Sequence, residues 1–176
     1  MDTDAATDQA ATGRAAGELI VIADVVGTIA FTITAVIAAV VFSTPTQWVG
    51  AITAMSLFAV GVFAFIWSFW NAVQRSRDEQ LSVTQVYLLF GSPTPPRVRR
   101  IMLSMLAVQI AVGLATAIAR SEAEDGTPGT SLAVGVLVPM FGIGLNGLWA
   151  AFHGVFPPRP DGVVSDAAIG QNEDHG

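Results

Sequence analysis

The sequence predicts an all-α integral membrane protein: four transmembrane helices in an antiparallel bundle, plus a short cytoplasmic interfacial helix. Three observations carry that prediction. Four apolar stretches, at about 19–42, 48–73, 101–119 and 131–156, each supply roughly the 20 residues that a helix rising 1.5 Å per residue needs to cross a hydrocarbon core about 30 Å thick. Charged residues make up only 12% of the 176 and apolar ones 52%, against about 25% charged in soluble domains. The basic residues, all of them arginine, gather mainly in one connection.

Residues 1–17 open Met-Asp-Thr-Asp and stay rich in alanine and threonine. They lack the positive start and short apolar core of a secretory signal and predict a disordered cytoplasmic tail. The first span carries Asp24 about one and a half turns inside it, with Thr28 and Thr32 on the same face. An uncharged turn, residues 43–47, leads to the second span. There Gly50, Ala54, Leu57, Gly61, Ala64 and Ser68 recur at alternating spacings of four and three. Such a small-residue seam predicts close left-handed packing at about +20°. Phe58, Phe63, Phe65, Trp67, Phe69 and Trp70 mostly lie off the seam.

The connection 74–100 sets the orientation. It holds Arg75, Arg77, Arg97, Arg99 and Arg100, whereas the connection after the third span has only Arg120 beside Glu122, Glu124 and Asp125. The positive-inside rule places the arginine-rich loop, and with four spans both termini, in the cytoplasm. Its five arginines read as headgroup anchors at about 1 kcal/mol each, or as a docking site for a partner. Leu81–Phe90 is too short to span and predicts an interfacial helix, with Leu81, Val86, Leu89 and Phe90 toward the inner leaflet. Gly91-Ser-Pro-Thr-Pro-Pro96 ends it, because proline removes donors and restricts the residue before it.

The third span places Ala107, Ala111, Ala115 and Ala119 at every fourth residue, a second predicted contact face. In the fourth, Gly135, Pro139, Gly142, Asn146 and His153 fall close to one face, and Pro139 predicts a kink. Gly142, Gly144 and Gly147 match a dinucleotide-binding spacing. Inside an apolar helix, with no preceding strand or βαβ unit, they read instead as helix-packing glycines. Residues 160–176 predict a second disordered tail, which leaves 18–159 as the membrane domain.

Few groups could carry chemistry. Cysteine is absent, which removes thiolate nucleophiles, disulfides and zinc thiolates. His153 is the one histidine in a span, where a haem held in a bundle usually needs two axial ligands. No metal-ligand spacing or nucleophile–base set is present. No catalytic residue, cofactor or metal is therefore assigned, and the chain is not read as an enzyme. Asp24 either reaches back to the headgroups or, at similar depth to His153 in an antiparallel bundle, pairs with it. Asp24, Asn71 and His153 thus form the candidate polar cluster, with Asp24 and His153 within hydrogen-bonding or one-water distance. Gln109 and Asn146 read as interhelical hydrogen bonds worth about 0.6–2 kcal/mol each.

Arg75-Ser-Arg-Asp-Glu79, Gly91-Ser-Pro-Thr-Pro-Pro-Arg-Val-Arg-Arg100, Gln109 and Leu137-Val-Pro-Met-Phe-Gly-Ile-Gly-Leu-Asn-Gly-Leu-Trp149, continuing to His153, resemble a group of small, uncharacterised, four-span actinobacterial membrane proteins. The resemblance spans about half the chain and implies the fold but no activity or site. Abundant Ala, Gly, Val and Arg without Lys, as high-GC coding produces, points to the same source. An acid in the first span is similar to that of small four-span multidrug exporters, which are shorter and carry it deeper. The expected function is an accessory or scaffold subunit of a larger cytoplasmic-membrane complex. The alternative is a small transporter or proton-coupled permease using Asp24 and His153. Expected partners are membrane lipids and other integral membrane proteins, a second copy of this chain among them, and no nucleic acid.

Overall fold

Alanine-rich and straight-chain apolar runs favour helix once the backbone must satisfy its own hydrogen bonds, as it must in lipid. The computed structural model describes residues 2–91, 93–121 and 131–158, with 2–11 and 131 described by backbone alone. Its regular elements are α1 (Asp2–Val41), α2 (Thr44–Arg75), α3 (Val83–Tyr87), α4 (Pro96–Ala119), a 3-10 helix (Ser131–Leu137) and α5 (Pro139–His153). Four segments are long and apolar enough to cross a membrane: Thr12–Val41, Thr44–Arg75, Pro96–Ala119 and Leu132–His153. The second predicted tail, the Ser92 position and the acidic stretch 122–125 lie outside the described residues.

Large apolar side chains stand on the outside, unlike in a soluble protein, and a few polar ones are sealed within an otherwise apolar interior. Asp24, Gln109 and Asn146 are 0% exposed, while Phe63 and Ile118 are 69% and 74% exposed. An apolar exterior of this kind is stable when the surrounding medium is hydrocarbon, and the few polar groups inside are kept from it. Together with the four long apolar helices, it makes this a multi-pass membrane protein.

Helix α2 packs chiefly on α5, α1 packs on α4 and α2, and α4 also meets the 3-10 helix and α5; α2 and α4 share no substantial contact. The buried residues of α2 are Gly50, Ala54, Gly61, Ala64 and Ser68, the small-residue seam itself. Ala64 of that seam joins Phe141, Leu145 and Trp149 of α5 with Val86, Tyr87, Leu89 and Met102 in one core. Phe31, Ala35, Ala54 and Val138 form another. The seam brings backbones together: a Cβ on Gly61 would stand 2.5 Å from the Phe141 nitrogen and Cα, and one on Gly144 would overlap the Gly61 carbonyl.

Pro139 sits in the first turn of α5, where its missing N–H costs nothing. The fourth span instead changes from 3-10 to α geometry at Val138, which stays in the right-handed helical region at φ −61° and ψ −32°, so Leu132–His153 runs on as one apolar segment. Both ends of the assembly are closed by arginine on the carbonyls of a helix C-terminus. Arg75 Nη1 donates to Ala151 O at 2.7 Å and Nη2 to Gly154 O at 3.1 Å, beyond α5. Arg120 Nε donates to Ala39 O at 2.9 Å, in the last turn of α1, with its guanidinium 4.3 Å from the Phe42 ring centroid.

Several expectations need correction. Residues 2–17 continue α1 rather than forming a disordered tail, in keeping with the high helix propensity of their alanines. The predicted interfacial helix shrinks to the five residues of α3, and Val86, Tyr87 and Leu89 turn into the end of the helix assembly rather than toward lipid. Apolar protein surface at the foot of α5 competes with the leaflet and wins. Ala107, Ala111 and Ala115 face outward, because α4 turns Met102, Leu106, Gln109, Gly113 and Thr116 inward. Arg75 clamps α5 instead of standing free for headgroups. Arg77, Arg97 and Arg100 remain exposed, and half-buried Arg99 donates to Gly91 O at 3.3 Å.

Candidate functional site

The change from 3-10 to α geometry at Val138 decides where the interior polar groups meet. In an unbroken helix the Gly142 N–H would donate to the carbonyl of Val138. Here Phe141 N takes that carbonyl at 2.8 Å, in 3-10 fashion. The freed Gly142 N–H donates to Gln109 Oε1 at 3.2 Å. Gln109 reaches it because Gly142 has no side chain: a Cβ there would lie 2.7 Å from the same oxygen.

The other end of the Gln109 amide faces α1. Its Nε2 donates to Asp24 Oδ1 at 3.1 Å and to Thr28 Oγ1 at 2.7 Å. One side chain on α4 thus ties α1 to α5, with both amide hydrogens and its oxygen engaged. The amide orientation is forced, since a flip would set its carbonyl against the Asp24 carboxyl. Asp24 and Thr28 share a face at i and i+4. Asp24 Oδ2 is buried without a hydrogen-bond partner.

A second polar link lies nearer the foot of α5. Asn146 Nδ2 donates to Tyr87 O at 3.1 Å and fixes α3 against α5. The Tyr87 ring stacks on Phe65 at 4.6 Å between centroids. Burial pushes the Tyr87 phenol above its ordinary 10.0, against the opposing pull of the Ser68 hydroxyl beside it. Gly147 leaves room for both, since a Cβ would meet the Tyr87 ring at 2.5 Å and Ser68 Oγ at 2.6 Å. Gly135 similarly faces the Phe31 ring and Gly113.

The predicted cluster of Asp24, Asn71 and His153 is not assembled. Asn71 Nδ2 donates within its own helix to Trp67 O at 2.8 Å. His153 stacks obliquely on Trp149 at 5.7 Å, and its ring borders Gly17. Gly17 and Asp24 are seven residues apart on α1, about 10 Å along the axis. The expected similar depth does not hold: His153, at the end of α5, meets α1 at Gly17, about two turns before Asp24. Asp24 instead faces Gln109. Sequence reasoning placed Gln109 centrally and made it an interhelical bond, but its partner required knowing which faces of α1 and α4 meet.

No family model, curated protein sequence or solved structure matches this chain.

Proposed function

We propose that the chain is an accessory or scaffold subunit of a larger complex, with its four spans crossing a cytoplasmic membrane as an antiparallel bundle. The arginine-rich α2–α4 connection, α3 and both termini then lie in the cytoplasm. The kinship with small actinobacterial four-span proteins belongs to the same proposal.

The observation that supports the role is the outward placement of Ala107, Ala111 and Ala115 on α4. Small side chains let another helix approach closely, and lipid makes no such demand. Large groups on α2, among them Phe63, Trp67 and Trp70, are exposed as well and extend the area open to a neighbour. Inside, Gln109 and Asn146 use their amides to join helices. The cavity between Phe31 and Thr116 has only about 10 Å³, about one water-sized sphere. A proton-coupled permease built on Asp24 and His153 would need both in one aqueous path, and they sit on separate turns with different partners.

The test is affinity isolation of the tagged full chain from its own membranes in mild detergent, followed by native gel and mass spectrometry. Stable co-purification of other membrane proteins, lost in Ala111→Phe while the fold persists, is the expected result. Recovery of a lone monomer from native membranes would overturn the reading.

A further inference from the structure

Below the Asp24–Gln109 contact, α1 and α4 part and leave a groove of about 680 Å³, closed behind by the last turn of α5. That volume lies within the range of small-ligand sites, roughly 300–1,000 Å³. Its chemistry is graded along the helix axes. Arg14 on α1 and Arg97 on α4 line one end, while Val21, Ile22 and Ile101 line the part about one to two turns deeper. Trp149 and His153 form the back, where Gly17 of α1 borders both rings. Glu18 is the single acid among the lining residues.

Both arginines are exposed and, among the described residues, neither has a hydrogen-bond or ion-pair partner. This sets them apart from Arg75, whose donors are taken up by carbonyls and Glu79. Two unpaired guanidiniums from different helices can grip one phosphate from two sides. The apolar floor begins where an acyl chain leaving that phosphate would run.

We propose that this groove binds one anionic phospholipid of the inner leaflet, its phosphate between Arg14 and Arg97 and one chain along Val21, Ile22 and Ile101. The proposal rests on the membrane-spanning reading above. It goes beyond a general attraction of arginine to headgroups, which requires no cavity and would engage Arg77 equally.

The full chain in mild detergent is titrated with phosphatidylglycerol, phosphatidylcholine or inorganic phosphate, and native mass spectrometry counts what is retained. The expected result is one phosphatidylglycerol per chain, retained at least about tenfold better than phosphatidylcholine. Arg14→Gln and Arg97→Gln each weaken it about fivefold, the size of one lipid-facing basic contact, and Arg77→Gln leaves it unchanged. Equal retention of the two lipids by the wild-type chain would overturn the proposal, whether or not the variants fold. Displacement of the lipid by millimolar inorganic phosphate would also overturn it, marking a free-anion site. Recovery of the chain from cells in the soluble fraction would instead defeat the membrane reading beneath it.

Discussion

Adding one methyl group at Gly61 asks α2 and α5 to move apart. That Cβ would stand 2.5 Å from the Phe141 nitrogen and Cα and 2.6 Å from the Met140 carbonyl carbon. Comfortable carbon contacts lie at about 3.5–4.0 Å, so the axes must part by about 1 Å. The obstructing atoms are backbone, and no rotamer change relieves them. Overpacking of this kind costs about 1–3 kcal/mol, while replacing glycine by alanine in a helix returns up to about 1 kcal/mol. Helices in lipid gain little from hydrophobic burial, so lost packing is not recovered elsewhere. Gly61→Ala is therefore expected to destabilise by about 1–2 kcal/mol. Gly13→Ala supplies the control, because nothing lies within 4 Å of its Cβ and the helix gain stands alone. Unfolding in mixed micelles of rising SDS content, followed by tryptophan fluorescence, measures both. Equal stability of the two variants would show that the Gly61 crossing is not a close backbone contact.

Gln109→Leu leaves Asp24, Thr28 and the Gly142 N–H without their shared partner, and a loss of about 2 kcal/mol is expected in the same assay. A loss no greater than that of Arg14→Ala would remove the three-helix tie. Arg75→Gln uncovers the carbonyls of Ala151 and Gly154, with an expected cost of about 1.5–3 kcal/mol. Hydrogen exchange should then quicken in the last turn of α5 and not in α1. Tyr87 is the one tyrosine of the chain, so tyrosinate absorbance reports it alone. Its burial-raised value means the folded state holds the phenolic proton after the unfolded state has released it. The folded chain should thus titrate above 10.0 and lose stability as pH climbs from there through the folded value. A titration midpoint unchanged by denaturant would contradict the buried placement.

The spans were legible because length and hydropathy are properties of a segment by itself. The α2 seam was legible for a related reason: Gly50, Ala54, Gly61, Ala64 and Ser68 are small on one face only, and the opposite face is aromatic. The same logic failed on α4. Its alanines also form a stripe, but the inward face follows Gln109, Gly113 and Thr116, whose partners lie on other helices. For Asp24 and His153 the similar depth itself did not hold, since His153 lies beside Gly17, about 10 Å along α1 from Asp24; on α4 it was rotation about the helix axis that the stripe did not show. Rotation decides contact. Pro139 marked where the fourth span changes geometry, although proline alone does not tell that the preceding turns tighten to 3-10 geometry. That tightening releases the Gly142 N–H, and only then does Gln109 acquire its third bond.

Helix α1 has 40 residues, a rod of about 60 Å. A bilayer with its headgroups is about 40–45 Å thick, so even an upright α1 reaches beyond it by about 15 Å. Mechanically this makes α1 a shaft. The end carrying residues 2–11 has three aspartates and no large apolar residue, while the shaft is gripped inside the membrane at Asp24 and Thr28. A torque applied to the outer end is carried by the backbone hydrogen bonds of a continuous helix to that grip. Turning α1 there means unseating Gln109, which also holds the first turn of α5. Whatever grasps the protruding end thereby pulls on the fourth span at the start of α5.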